Sequence, residues 1–354
     1  MVYKNSKNIL FEYNNIDKIF YEKNLQNFLP DKIVDIHTHV WLDKFNTKRK
    51  KNISRVQNWP SLVAKENSIE DLIETNKIMF PGKKVVPLIF TNPTNNVNFI
   101  DEANEYVMES AKKYNFPSLI FSHPHWSAEE FESKIVTGNF LGAKVYLSVA
   151  EKYLPEKEIR IFDYLPHHQL EILNKHKWIV MLHIPRDGRL KDPVNLSQMI
   201  EIEKRYPDIK VIIAHVGRAY CIEDVGNAFE ILAETKNMMF DFSANTNSKV
   251  FEQLINAVGT KRILFGSDLP IARMRMKRIC ENGRYINLVP KGMYGDVSND
   301  IHMREITGDE ANKLTFFMYE EIDAFRRAAE ITGLSRTDIE DIFYNNAIRI
   351  LGSH

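Results

Sequence analysis

Two histidines one residue apart close an apolar run in VDIHTHVW, residues 34–41. On a β-strand, residues i and i+2 share a face, so His37 and His39 point the same way while Thr38 turns away. Two such imidazoles are either satisfied separately by hydrogen bonds or form half of a metal site, neutral imidazole being the commonest protein metal ligand. Two ligands do not hold a catalytic ion, so other parts of the chain must supply the rest. Further polar residues follow apolar, β-branched runs in the same manner: Lys144 in GAKVY, His183 in MLHIPR, His215 in IIAHVGR and Asp268 in LFGSDLP. A lone histidine at a strand end is ordinarily a hydrogen-bonded core residue. Six such residues at the ends of five strands read instead as one constellation. Histidine nitrogens with one carboxylate suit Zn²⁺ with a position left open for water, and they also accept Mn²⁺ or Fe²⁺. Water on such an ion has its pKa lowered from 15.7 towards about 7. Asp268 is short enough to orient that nucleophile, accept its proton and return it to a leaving group.

The elements that must position these residues repeat one unit. Apolar runs stand at 32–39, 84–91, 117–122, 141–147, 178–184, 210–216, 237–243 and 262–267, with amphipathic helical stretches between them. Ser68 with Asp71, and Ser127 with Glu130, have the spacing of helix N-terminal capping boxes or their relatives. Near-continuous apolar strands alternating with helices imply a parallel sheet covered on both faces. A doubly wound open sheet would carry a glycine-rich loop after its first strand, where this chain has HTHVW. The expected fold is therefore α/β, a (β/α)8 TIM barrel, whose chemistry sits at the C-terminal ends of its strands. It is read as a single domain over 1–354, with 1–30 as an N-terminal extension packed outside the barrel or against a second copy in a homo-oligomer. Long loops are expected after strands 1 and 8, the second an irregular insertion over about 269–309. Two helices, from DEANKL and from SRTDIE, close the chain.

In that order and at those strand ends, HTH, GAKVY, HIP, AHVGR and FGSD resemble the amidohydrolase superfamily, in its second branch of barrel hydrolases and decarboxylases. The resemblance covers roughly residues 32–270, and the closing DIFYNNAIRIL, with Asn346 and Ala347, adds to it. It implies that His37, His39, His183 and Asp268 approach a divalent metal, most simply zinc. It further implies that His215 ligates a second ion or acts as a catalytic acid/base beside Asp268. In related barrels a lysine at the position of Lys144 carries CO₂ as a carbamate bridging two metals. The alternative keeps Lys144 as an ammonium that holds an anionic group, so one or two ions are compatible with the sequence.

Composition limits the partners. Lysine plus arginine equal aspartate plus glutamate at 47 each, which argues against nucleic acid and membrane surfaces. No run of about 18 apolar residues spans a membrane, and the N-terminus has no apolar signal segment. Cys221 and Cys280 are the only cysteines in the chain and lie in no recognisable motif, so they are read as thiols of a reducing cytoplasm. Charge is concentrated in two loops expected over the active face. One holds Lys44, Lys48, Arg49, Lys50, Lys51 and Arg55; the other holds Arg273, Arg275, Lys277, Arg278, Arg284 and Lys291. Either these loops are simply solvated, or they steer a small anionic substrate. Arg186 and Arg218, beyond two of the histidines, are placed to grip a carboxylate. Tyr146, in GAKVY, and His125, in SHPHW with His123, are expected to line the pocket, although SHPHW also suits a helix-entry turn. Asp241, Ser243 and Asn245 of DFSAN are expected to orient a ligand histidine from behind. The expected activity is hydrolysis of an ester, lactone or amide of a small carboxylated molecule by metal-bound hydroxide. Non-oxidative decarboxylation of an unsaturated or aromatic acid is the alternative, and a non-catalytic metal-binding barrel is the third reading.

Overall fold

The structure is a computed structural model and describes residues 2–4, 9–46, 63–93 and 99–352. Parallel strands form where the apolar runs stand. They are β1 (Lys32–His39), β2 (Lys84–Phe90), β3 (Ile120–Phe121), β4 (Gly142–Val145), β5 (Ile179–Leu182), β6 (Lys210–Ile213), β7 (Met239–Asp241) and β8 (Ile263–Leu264). Strands β3 to β8 pair in sequence order in one sheet, and β1 pairs with β2. Parallel bridges join the two sheets at both seams, Ile89 to Ser118 and Thr38 to Leu269. The second seam is reinforced by Ile36 N donating to Phe265 O (3.0 Å) and His39 N donating to Leu269 O (2.8 Å). The ring of a (β/α)8 barrel results.

Alternation along the strands divides the core in two. Val34, Ile36, Leu88, Met181, Ile212, Met239 and Leu264 fill the barrel interior, and Ala347, Ile350 and Leu351 of the last helix close it from below. Their neighbours Ile89, Val180, Val211, Phe240 and Ile263 face outwards onto the helices. In β1 the pairing slips between Asp35 and Thr38. Ile36 alternates with Val34 into the interior cluster, and the irregularity changes the parity after it, so that the His37 and His39 rings also pack on Phe90 of that cluster. Thr38 turns away and donates to Leu88 O (2.7 Å).

The helices begin where their caps stand. Ser68 and Asp71 form a reciprocal capping box at Ile69–Met79, while Ser127 accepts only from Glu130 N. The N-terminal extension packs outside the barrel on helix Phe317–Ile331, with Phe20 and Tyr21 against Tyr319 and a buried Asp17–Arg275 ion pair at 2.6 Å. Two expectations are corrected here. The stretch expected to be irregular folds as a three-stranded sheet, β9 (Lys277–Glu281), β10 (Arg284–Pro290) and β11 (Met303–Ile306). Its hairpin turns on Asn282 and Gly283, both at positive φ (52° and 71°), the geometry that Asn-Gly favours. The cysteines are not separate thiols: Cys221, after β6, and Cys280, in β9, form a disulfide across 59 residues with Cα atoms 5.9 Å apart. The fold-back of the hairpin brings them together, and the thiol-based argument for a reducing compartment falls away. Among the described residues no helix is long and apolar enough to cross a membrane.

Gly142 opens β4 at φ +145°, and a Cβ there would lie 1.9 Å from Ile179 O of the neighbouring strand. Gly142→Ala is therefore expected to lower stability by roughly 3 kcal/mol or more, the combined scale of a backbone outlier and overpacking. The urea unfolding midpoint checks this, and an unchanged midpoint contradicts it.

Candidate metal centre

The residues singled out at the strand ends converge at one mouth of the barrel. His39 Nε2 lies 3.1 Å from Asp268 Oδ1, and His37 Nε2 lies 3.6 Å from the same oxygen. The ligand atoms of His37, His39 and Asp268 all fall within 4.8 Å of one another, as do those of His37, His215 and Asp241. His215 stacks beside His37 with ring centroids 4.8 Å apart, and His183 stands edge-on to His215 at 5.2 Å. His183 belongs to neither set of mutually close ligand atoms. Asp268 sits at positive φ (59°), its N–H donating to His37 O at 2.9 Å, so the backbone of β1 aims the carboxylate at the imidazoles.

Each imidazole is held from behind. Asp241 is fully buried. Its Oδ2 accepts from His37 Nδ1 at 3.0 Å, and its Oδ1 accepts from His215 N at 3.0 Å and from the Ser243 N–H and hydroxyl. With Nδ1 so bonded, His37 presents Nε2 as a lone pair. His39 Nδ1 lies 3.1 Å from Thr91 O and its Nε2 3.1 Å from Asp268 Oδ1, so the ring is held between a carbonyl and the carboxylate. Ser243 meets His215 Nδ1 through both its carbonyl (3.1 Å) and its hydroxyl (2.9 Å). Asn245 holds the Ala219 carbonyl at 2.7 Å. Burial, with Lys144 and the other imidazoles adding to it, keeps His37 and His183 neutral far below the usual histidine range; burial also lowers His215. Burial works against ionisation of Asp268, but the His39 hydrogen bond and the nearby imidazoles outweigh it and hold the carboxyl at about 2. The neutral His37 ring therefore faces one carboxylate.

These groups fit a divalent ion because the buried atoms that face the site lack partners. His37 Nε2, His183 Nδ1 and Lys144 Nζ are buried with no hydrogen bond among the described residues. Unsatisfied buried polar atoms are rare and costly, and three together at a strand-end cluster mark a place for something the chain does not itself supply. Lys144 lies over the Tyr146 and Phe90 rings, 4.8 and 5.1 Å from their centroids. Burial, opposed by Asp241 and Asp268, brings its amine down to about 7. Tyr146 stacks on His183 at 5.1 Å.

Other expected residues lie further out. Arg218 Nη1 donates to Pro185 O at 2.8 Å. Arg186 is paired with Asp192 at 3.1 Å and His125 with Glu151 at 2.7 Å, the latter pair largely exposed. Of the strand-8 basic loop, Arg275 is neutralised by Asp17, and Arg273 is buried against Thr75 and Asn67. Lys48, Arg49, Lys50, Lys51 and Arg55 lie outside the described residues. Sequence reasoning missed Glu321, which is fully buried on helix Phe317–Ile331 and accepts from Ala244 N at 2.7 Å. Its signal was a glutamate on the apolar stripe shared with Phe317, Ile322 and Phe325. Gly266 was also missed: a Cβ there would lie 2.7 Å from His37 Cβ, so only glycine lets the ring sit where it does.

Comparison with known proteins identifies the family of the chain. The family model described as Amidohydrolase matches residues 34–353, and the chain belongs to that family. No curated protein matches the chain. Among solved structures it is similar to the 4-oxalomesaconate hydratase of Rhodopseudomonas palustris, at 16% identity and TM-score 0.56 over 90% of this chain and 95% of that one. It is also similar to an Acinetobacter baumannii protein titled "probable 2-pyrone-4,6-dicarboxylic acid hydrolase", solved with citric acid bound, at 14% identity and TM-score 0.54 over 91% and 99%. A dihydroxybenzoic acid decarboxylase from Polaromonas sp. JS666, solved with manganese and 2-nitroresorcinol, matches at 15% identity and TM-score 0.52 over 91% and 97%. At these identities the likeness shows the shared barrel fold.

Asp241 orients both His37 and the His215 backbone, so its loss should reach any ion that they hold. Asp241→Asn is expected to weaken Mn²⁺ or Zn²⁺ binding by about 10- to 100-fold, the usual scale for a group behind a metal ligand. Titration of chelator-treated protein with either ion measures this. Unchanged affinity would separate Asp241 from the site.

Proposed function

We propose that this chain is a metal-dependent hydrolase acting on an ester, lactone or amide bond of a small carboxylated molecule. The observation that carries the reading is the facing of neutral His37, with His39 beside it, onto an ionised Asp268, the buried His37 Nε2 having no hydrogen bond among the described residues. A divalent ion at that point would polarise the carbonyl and acidify a water. Asp268 takes the proton from the attacking water as its oxygen joins the carbonyl carbon. It then delivers that proton to the departing oxygen or nitrogen as the old bond breaks. His215, held at Nδ1 by Ser243, stands beside His37, where its Nε2, once protonated, would donate to the developing oxyanion. Arg218, beyond β6, holds the substrate carboxylate.

Decarboxylation asks for a different first step, delivery of a proton to carbon. Hydrolysis begins instead with removal of a proton from water, and the Asp268 carboxylate beside His37 and His39 is placed for that step. A single ion also fits better than two. The second set of close ligand atoms reuses His37, and its Asp241 and His215 Nδ1 are already engaged by His37 Nδ1 and Ser243. On this reading Lys144 is an unmodified amine.

The test is turnover of a panel of carboxylated lactones, esters and amides beside aromatic acids. Metal-loaded protein should hydrolyse a member of the first group, and EDTA treatment or His37→Ala should remove at least 100-fold of that rate. Release of CO₂ from the acids without hydrolysis would replace this reading by the decarboxylase. Full turnover after metal removal would end both. One ion per chain is expected, independent of bicarbonate and retained in Lys144→Ala. Two ions falling to one in that variant would instead show a bridging carbamate.

A further inference from the structure

The three-stranded sheet inserted after β8 folds back over the loops that follow β5, β6 and β7, and it carries a guanidinium with no counter-ion. Arg278, in β9, lies over the rings of Phe317, Tyr285 and Tyr220, with its central carbon 4.5, 4.6 and 4.7 Å from their centroids. Its Nε donates to Asn287 Oδ1 at 2.8 Å and its Nη1 to the Ala244 carbonyl. Ala244 directly follows Ser243, whose carbonyl and hydroxyl meet His215. The side chain therefore touches the same segment that fixes the candidate metal centre.

The neighbouring charges show what is missing. Arg189, over the same two tyrosines, is neutralised by Asp224 at 2.7 Å. In the inserted sheet, Arg304 is paired with Glu281 at 2.7 Å. Among the described residues no carboxylate lies within ion-pair distance of Arg278 or of Arg218. Glu321 accepts from the N–H of the same Ala244, and burial pushes its carboxyl well above the usual carboxylate range. Tyr220 lies between the two arginines and feels both. Arg278 is only partly covered, and the guanidinium has five N–H donors, of which the protein engages those at Nε and one at Nη1. Three rings attract the cation while burial disfavours it, and guanidinium binds carboxylate in a planar fork. The Cys221–Cys280 disulfide, two residues along the strand, fixes this edge relative to the loop that carries Arg218.

We infer that Arg278 is a second carboxylate anchor, so that the natural substrate is a dicarboxylate gripped at Arg218 and Arg278 beside the metal centre. This rests on the proposed reading of that centre and adds the substrate class to it.

The experiment measures binding of aliphatic diacids from malonate to adipate, and of the monoacids of equal length, to manganese-loaded protein by calorimetry. In the wild type at least one diacid should bind 10-fold or more tightly than its monoacid. Arg278→Met should reduce that advantage to within twofold while the monoacid affinity changes by less than twofold. Arg278→Lys, which keeps charge but loses the fork, should retain part of it. Manganese content and the circular dichroism spectrum verify that the variants fold. If no diacid gains over its monoacid in the wild type, or if the gain survives Arg278→Met, the inference is wrong. The hydrolase reading fails separately, through turnover that ignores EDTA or His37→Ala.

Discussion

The site depends on one buried carboxylate, that of Asp241. It lies at the end of β7 with no exposure, and its two oxygens bind the His37 ring, the His215 backbone and Ser243. A buried carboxylate is tolerated only when hydrogen bonds satisfy it, so its partners are fixed in turn. Through them β1, β6 and β7 are locked in register at the mouth of the barrel. The tautomer of His37 follows from the same bond, which leaves Nε2 facing Asp268. Change that carboxylate and the His37 ring loses the bond that aims its Nε2 at Asp268.

A ring of parallel strands is what makes such a convergence achievable. Each strand contributes one or two polar side chains where its apolar run ends, and the interior below is filled by aliphatic residues that the last helix seals. Stability comes from that lower layer and from the helices outside it. The upper layer is held against the hydrophobic trend by hydrogen bonds, with buried atoms of His37, His183 and Lys144 left unsatisfied. Locally destabilising polar groups concentrated at one end of an otherwise apolar barrel are the mark of a functional face.

Most of this was legible from the chain itself. Short β-branched runs gave the strands because a strand buried on both faces has little room for polar residues. The polar residues that did occur at their ends were therefore conspicuous. The HxH pair needed less from geometry than it received: an i, i+2 argument places both rings on one face, but the register slip in β1 is what admits Ile36 and His37 to the same interior. No periodicity reports such a slip. The hairpin after β8 was missed although its Asn-Gly turn was in plain view, because the flanking KRICE and RYINLVP do not alternate cleanly. The disulfide followed from that hairpin and was hidden with it. Glu321 was hidden for another reason, since one acid in an apolar helical stripe gives no hint of the loop it meets.

The basic loops show how far composition misleads. Arginines that look alike in sequence divide in space: Arg275 is paired with Asp17, Arg186 with Asp192 and Arg189 with Asp224, while Arg218 and Arg278 have no carboxylate partner among the described residues. The central claim is that His37, His39 and Asp268 are arranged around one divalent ion. Anomalous diffraction from crystals grown with Mn²⁺ or Zn²⁺ tests it most directly. The account predicts a single strong peak about 2.0–2.2 Å from His37 Nε2, His39 Nε2 and an Asp268 oxygen. Crystals soaked at saturating metal with no peak there, and with His39 still bonded to Asp268, would contradict it.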